Sequence, residues 1–520
     1  MITKRLTIAL VPLDERPVNT RYPQMLGEIG GAAVLLPPTE MRGLQRVPAD
    51  IDAVAKWLQE AAQSADAAIV SCEYLGFGNL IASRISEDSA ADILSRLRLL
   101  GEINPSCPVH AFSLITRVSN ADDAVEEPEY WAEWGTTFYR YARLAYQAER
   151  GDLADLSELA ELEQRLPPAL KADWLARRLR NHTVNLGLLD LAARGKIASL
   201  RLTSDDTSPY GLPSRERAWL SGWPPLIGPA LSGRVMMHPG ADEVGSALLA
   251  KLLMAQAGKT PRVFVVYSHA GGEHLVAPYE DRPVRKTVEG QIHACGGELA
   301  AIMMDCDLVL GVATPVPGRS AYQPEYLAED RSSRLSAYIE FLFAQLADAQ
   351  AQDVPVALAD VAYPNGSDPL LISLLMQGHA PLSMRRLAAY GAWNTAGNTL
   401  GVVVAQAFCA SLIGNDPDRA VAQKKFLAHR FLEDWAYQAV VRREARAEAE
   451  RLWGRREPDR GSPKEQAQLC AFIEARLNEH LRLLQGYGVG GSLQIAPGSV
   501  RLPWRRTFEV DFALKSVADG

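Results

Sequence analysis

Ser199-Leu200-Arg201-Leu202-Thr203-Ser204-Asp205-Asp206-Thr207-Ser208-Pro209-Tyr210-Gly211 is the stretch on which the fold turns. Its first five residues alternate polar with apolar and are β-prone, so they predict a strand. Two adjacent carboxylates follow, and Ser208-Pro209-Tyr210-Gly211 ends the strand in a turn. A strand that stops at charged groups is how α/β enzymes present chemistry at the carboxyl edge of a sheet. Adjacent carboxylates repel, so one of them can keep its proton near neutral pH and serve as a general acid. The structural alternative makes Asp205 a turn residue and Asp206 a helix N-cap.

The same design repeats outward from this stretch. The run Leu6 to Leu13 opens into Asp14-Glu15-Arg16-Pro17-Val18-Asn19, where Arg16 or Asn19 can grip sugar or acid oxygens, or the loop can simply be salt-bridged. Ala32 to Leu36 is closed by Pro37-Pro38. Ala67 to Ser71 leads to Glu73 beside Tyr74 and glycines, then to a helix carrying Arg84. Pro108 to Leu114 is followed by Arg117 and Asn120, and Val235 to His238 by Asp242, itself a natural helix cap. Arg262 to Tyr267 leads into Ser268-His269-Ala270-Gly271-Gly272-Glu273-His274, and Leu308 to Val312 is a further strand. Pro355 to Ala359 precedes Asp360, Asn365 and Asp368. Leu387 to Ala392 precedes Trp393, Asn394 and Asn398.

Strands alternating with helices imply parallel sheet, and the count is about ten. Polar residues at the end of strand after strand favour a (β/α)8 TIM-like barrel, in which Ala32 to Leu36 is an extra and the acidic pair follows the fourth barrel strand. The alternative is two doubly wound α/β domains, with a break near residue 258. On the barrel reading residues 1–414 form the catalytic domain, with a helical insertion at about 126–191, and residues 415–520 form a helical region ending in a β-hairpin. Trp131, Trp134, Phe138 and Tyr139 recur at helical spacing and read as packing. Asn181 and Asn185 lie one helical turn apart and can face the site. No internal repeat or low-complexity segment is evident.

Of the 520 residues, 48% are hydrophobic and 22% charged, as in ordinary globular proteins, and the net charge of -8 disfavours nucleic acid as a partner. The first apolar run is short for a signal peptide, and no stretch approaches the about eighteen residues of a membrane span. The six cysteines lack C-x-x-C spacing, so they read as reduced thiols of a cytoplasmic protein without a membrane partner. Phosphate-loop, nucleophile-elbow and dinucleotide fingerprints are absent, and no cofactor is expected. The C-terminal helices allow a homodimer.

Glycoside hydrolysis uses paired carboxylates with aromatic, amide and arginine groups for a small carbohydrate substrate. Catalysis is therefore assigned to Asp205 and Asp206. Substrate binding is assigned to Asp14, Arg16, Asn19, Glu73, Arg84, Tyr210, Asp242, Asn365, Asp368, Trp393, Asn394 and Asn398. Adjacent carboxylates cannot easily work on opposite faces of a sugar, which favours a retaining, substrate-assisted mechanism. In it the 2-acetamido oxygen attacks the anomeric carbon, Asp205 orients the amide and Asp206 protonates the leaving oxygen. Two rivals stand beside this. One is a metal-dependent hydrolase built on His238, Asp242, His269, Glu273 and His274, together with Asp205 and Asp206. The other is a non-catalytic sugar-binding protein.

Pro12 to Asn19, the acidic pair with Pro209-Tyr210-Gly211, Gly240-Ala241-Asp242-Glu243, Trp393 to Asn398 and Arg501 to Phe508 together resemble a bacterial family of about this length, known only as the domain of unknown function DUF4127. That resemblance spans nearly the whole chain. The acidic pair with Trp393, Asn394 and Asn398 is also similar, in short motifs only, to barrel β-N-acetylhexosaminidases of the O-GlcNAcase type. This second resemblance implies an exo-acting hydrolase of terminal N-acetylhexosamine.

Overall fold

Short runs of Val, Ile, Leu and Ala bounded by Pro, Gly or charge suit parallel strands covered on both faces. The structure, a computed structural model, describes residues 5–152, 155–228, 231, 233–316, 333–377, 382–459 and 461–516. Strands β1 (Leu6–Val11), β2 (Ala32–Leu35), β3 (Ala67–Ser71), β4 (Val109–Ile115), β5 (Ser199–Ser204) and β6 (Val235–Pro239) pair in parallel in the order β2-β1-β3-β4-β5-β6. Strands β7 (Arg262–Tyr267), β8 (Glu298–Leu299), β9 (Leu308–Ala313), β10 (Val356–Asp360) and β11 (Leu387–Gly391) pair in parallel in the order β11-β10-β9-β7-β8. A third, antiparallel pair joins β12 (Leu493–Ile495) to β13 (Leu514–Ser516).

Neither large sheet closes, so the expected eightfold barrel is replaced by two open sheets. The physical reason is the side on which each strand is added. A barrel adds every new strand on the same side of the last. Here the second strand of each sheet goes to one flank of the first and the third goes to the other, which reverses the winding. Both sheets share this order, second-first-third-fourth-fifth, and the first sheet adds a sixth strand.

The chain divides into two compact units, residues 1–24, 32–248 and 279–282 in the first and 25–31, 249–278 and 283–520 in the second. In the first, Val11, Val70, Ala111 and Leu200 from the strands pack with Leu58, Leu97 and Leu188 from helices. After β3 come the short helices α1 (Cys72–Phe77) and α2 (Leu80–Ile85). Between β4 and β5 stand α3 (Trp131–Arg150), α4 (Leu156–Arg165) and α5 (Pro168–Ala193). There Trp131 stacks on Phe138 at 5.1 Å and Phe138 tilts against Trp174 at 4.7 Å, as a packing cluster should. Between β5 and β6 lie α6 (Leu212–Ser221) and α7 (Trp223–Ile227), and α8 (Val244–Gln256) follows β6.

In the second unit α9 (Ala396–Ala410) follows β11. Then come α10 (Pro417–Arg430), a π-helical stretch (Phe431–Val441), α11 (Arg442–Trp453) and α12 (Pro463–Gly486). Phe431, Leu432, Leu469, Ile473 and Leu477 share one core with Leu358 and Tyr390 of the strands, so the C-terminal helices pack on the second sheet. Among the described residues no helix is long and apolar enough to cross a membrane.

Candidate active site at the carboxyl edge of the first sheet

Pro12 cannot continue β1, and the chain turns so that Asn19 and Thr20 N–H groups bond the Arg16 carbonyl at 3.0 and 3.1 Å. Asp14, fully buried, accepts from the Arg16 backbone N–H at 2.9 Å, from its Nη2 at 2.7 Å and from Asn19 Nδ2 at 3.0 Å. Arg16 Nη2 also reaches Asp242 Oδ1 at 2.5 Å, and Asn19 Nδ2 reaches the same oxygen at 3.0 Å. The loops after β1 and β6 thus meet although β3, β4 and β5 separate those strands in the sheet. Four of the expected residues form one buried knot, and Asp242 is engaged by Arg16 and Asn19. Burial pushes the Asp242 carboxyl up, Arg16 opposes it, and Asp14 and Asp205 add like-charge repulsion.

Ser71 caps α1 by accepting from Tyr74 N–H at 3.2 Å. Gly78 then turns the chain with φ +102°, where an added Cβ would stand 2.5 Å from Pro48 Cβ. Asn79 caps α2 and so places Arg84. Glu73 points into the sheet edge, accepting from Ser71 Oγ at 3.1 Å, Ser113 Oγ at 2.8 Å and Leu114 N–H at 2.7 Å. Burial raises its pKa. Glu73 therefore ties β3 to β4. Asn181 and Asn185 donate to the carbonyls of Ser83 and Leu114, at 2.9 and 3.2 Å, and act as anchors for α5.

The acidic pair lies in an ion network. Arg84 Nη2 binds Asp205 Oδ2 at 2.7 Å, and its Nη1 binds Glu126 at 2.9 Å. Arg117 Nη1 binds Asp206 Oδ2 at 2.9 Å, with Glu126 and Glu127 at 3.0 and 2.9 Å on its other nitrogens. Two guanidinium groups thus face four carboxyl groups. Asp206 answers this surplus: burial first, then Asp205, push its pKa up to about 6, against the pull of Arg117 and Arg84. The Asp205 side chain is 8% exposed and the Asp206 side chain 26%, so Asp206 is the one a substrate can reach. Asp206 also sits at φ +29°, a left-handed conformation that costs a non-glycine residue on the order of 1 kcal/mol.

Neighbouring segments hold this turn. Arg178 on α5 donates a bidentate pair of hydrogen bonds to Glu216 on α6, at 2.7 and 2.9 Å, and caps the carbonyls of Thr116 and Arg117 at 3.0 and 3.1 Å. Thr207 N–H donates to the Tyr279 carbonyl at 2.9 Å. Two residues on, Asp281 binds Arg217 at 2.7 Å and Arg282 at 2.8 Å. Tyr210 is half-buried, its ring edge-on to Tyr146 at 6.4 Å.

The other expected residues belong to the second unit. Asp360 at the end of β10 accepts from Asp368 N–H at 2.7 Å and Ser367 Oγ at 2.8 Å, and Tyr390 OH donates to that Ser367 oxygen at 2.8 Å. Burial and the charge of Asp368 push Asp360 up to about 7. Asp368 accepts from Leu370 N–H at 2.9 Å, and Asn365 N–H donates to the Asn394 carbonyl at 3.0 Å. Trp393 is buried with Phe508 edge-on at 6.0 Å, and Thr395 caps α9 through Asn398 N–H. In place of one barrel mouth there are two sheet edges, with Asp14, Arg16, Asn19, Glu73, Arg84, Asp205, Asp206, Tyr210 and Asp242 on the first.

Arg117, Glu126 and Glu127 were absent from the expected set. Arg117 directly follows a strand, which was the available signal, whereas the two glutamates resemble the polar start of the helical insertion. For the metal rival, no group of three or more His, Cys, Asp or Glu among the described residues is placed to hold an ion. Burial drives His238 down to about 3, and His269 stacks on Tyr338 at 4.6 Å.

Fold and site together define an α/β protein of two open parallel sheets, with an ion-pair network around a partly exposed carboxyl group of raised pKa. The chain matches the family model described as "Protein of unknown function (DUF4127)" over residues 8–513, and it belongs to that family. No curated protein and no solved structure matches it.

Proposed function

We propose that the carboxyl edge of the first sheet is the active site of a retaining, substrate-assisted glycoside hydrolase acting on terminal β-linked N-acetylhexosamine. The observation that carries this is the asymmetry of the acidic pair. Asp206 is partly exposed with a pKa of about 6, while Asp205 is sequestered and oriented by Arg84. A general acid works best with a pKa near the operating pH, and a reachable acid beside a sequestered carboxyl group held by Arg84 suits division into acid and orienting partner. In the first step the acetamido oxygen bonds to the anomeric carbon, the glycosidic bond breaks, and the leaving oxygen takes the Asp206 proton. In the second, water attacks the anomeric carbon, Asp206 takes its proton, and the acetamide is regenerated with net retention. Open sheets withdraw the barrel as support for the likeness to O-GlcNAcase-type enzymes, so the proposal rests on the pair.

The test is release of nitrophenol from a panel of aryl glycosides, by wild type and Asp206→Asn, with and without chelator. Turnover restricted to 2-acetamido sugars, indifferent to chelator and lowered about a hundred- to ten-thousand-fold in the variant, is the expected result. Absence of turnover on every sugar defeats the proposal. If N-acetylhexosamine then binds both proteins equally, the site belongs to a binding protein.

A further inference from the structure

The carboxyl edge of the second sheet is unused by this chemistry, and its residues close into a ring of contacts within one unit. Asn365, past β10, donates its backbone N–H to the carbonyl of Asn394, past β11, at 3.0 Å. The ring of the neighbouring Trp393 meets Phe508 edge-on at 6.0 Å. The Phe508 carbonyl accepts from Gln438 Nε2 at 2.7 Å. Gln438 in turn lies against Gly366, where an added Cβ would stand 2.9 Å from the Gln438 Cβ, and Gly366 leads back to Asn365. Gln438 belongs to the π-helical stretch, a rare conformation that recurs at functional sites.

Two buried atoms of this ring have no hydrogen-bond partner among the described residues. They are the indole Nε1 of Trp393, a residue only 3% exposed, and Oδ1 of Asn365. Folded proteins rarely strand such groups, because each then costs its full desolvation. A donor and an acceptor left over in one ring suit a hydroxyl group, which accepts from the first and donates to the second. The acids of this edge are already engaged. Asp434 accepts from Arg430 and from the Ala392 N–H, the latter at 2.7 Å, and Asp360 accepts from Ser367 Oγ and the Asp368 N–H. Beside the ring stand two cations instead. The guanidinium groups of Arg442 and Arg506 lie 5.2 and 4.8 Å from the centre of the half-buried Phe508 ring. Gln438 Oε1 holds Arg442 there at 3.0 Å, and Glu509 lies 3.7 Å from Arg506. Guanidinium groups are fitted to carboxylate and phosphate oxygens. We propose that this edge binds a small hydroxylated anion, with its hydroxyl group on Trp393 and Asn365 and its carboxylate or phosphate on Arg442 and Arg506.

The experiment is isothermal titration of the full chain with glucuronate, glucose 6-phosphate, glucose and inorganic phosphate, each variant being checked for folding by thermal melting. At least one of the two sugar acids should bind about tenfold or more tighter than glucose and than phosphate, and which one does so separates carboxylate from phosphate. Trp393→Phe keeps a ring and loses the N–H, so it should weaken that binding about three- to tenfold. Arg442→Gln with Arg506→Gln should weaken it about tenfold or more and leave glucose unchanged. Trp393→Phe alone keeps the test decisive if the arginine variant misfolds. Asp206→Asn should bind the acid as wild type does, which separates this site from the first sheet and from the fate of the glycosidase proposal. No binding of either acid, equal binding of glucose, or acid binding that Asp206→Asn abolishes overturns the proposal. So does a Trp393→Phe protein that melts earlier yet binds the acid unchanged, since the indole would then serve only a structural water.

Discussion

Replacing Asp206 with Asn should stabilise the protein at neutral pH while removing the proposed acid. Folding raises the Asp206 pKa from 3.8 to about 6, so the native state holds the proton more tightly than the unfolded chain does. The resulting stabilisation is complete below the unfolded value and is lost as pH rises through the folded one. Roughly two units correspond to about 3 kcal/mol, most of it lost between about pH 4 and pH 6. The attraction of Arg117 is already contained in that shift, and partial exposure of the side chain reduces the gain from Asn to about 1–2 kcal/mol. Glu126 and Glu127 remain to pair Arg117, so the variant leaves no isolated buried cation. Urea unfolding of both proteins at about pH 4 and about pH 7.5 measures the effect. The variant should be the more stable at the higher pH, with the gap nearly closed at the lower. An equal loss of stability at both values would refute the reasoning, because the Asp206–Arg117 pair would then be a net stabiliser with an ordinary carboxyl group.

Further outcomes follow from the surrounding packing. Arg178→Met strands the buried Glu216 and uncaps two carbonyls, so it should cost about 3–5 kcal/mol in unfolding free energy, with partial recovery when Glu216→Leu is added. Gly240 sits at φ +126° with an added Cβ 1.9 Å from Glu243 Oε1, so Gly240→Ala should cost about 1–3 kcal/mol and displace the loop that carries Asp242, both visible in melting and in turnover. Asp360 should show a protonated carboxyl band by infrared spectroscopy that disappears only as pH passes about 7 and is missing in Asp360→Asn. Its raised pKa makes the second unit easier to unfold above that pH than below it.

The local pattern read well because burial dictates it. Ten of the eleven strands in the two parallel sheets appear where apolar runs end in Pro, Gly or charge, and among these only β8, two residues long, is too short to carry a pattern. Strand order did not read, because a β-α-β unit looks the same whichever flank the next strand joins. Sheet closure is decided by pairings such as β1 with both β2 and β3, which no local spacing records. In the site, the pair at Asp205 and Asp206 and the loop around Asp14 stood out as charge directly after a buried strand. Glu73 met the same criterion and proved to be a tie between strands, since a carboxylate satisfied by neighbouring N–H and hydroxyl groups is indistinguishable in sequence from one facing substrate. Glu126 and Glu127 stayed hidden because their significance lies in two arginines from other segments.

The four residues Tyr279–Arg282, which return to the first unit from within the second, impose an order on synthesis. A ribosome completes residues 1–248 before these four exist, so the nascent first unit waits with the N–H of Thr207, next to Asp206, unclaimed and Arg217 lacking Asp281. The acidic turn is secured only once translation is well into the second sheet. Residues 25–31 wait in the opposite sense, made early yet belonging to a unit finished last. Neither half is therefore a simple cut of the chain, and a fragment ending at residue 248 should emerge with its acidic turn the least ordered part of it.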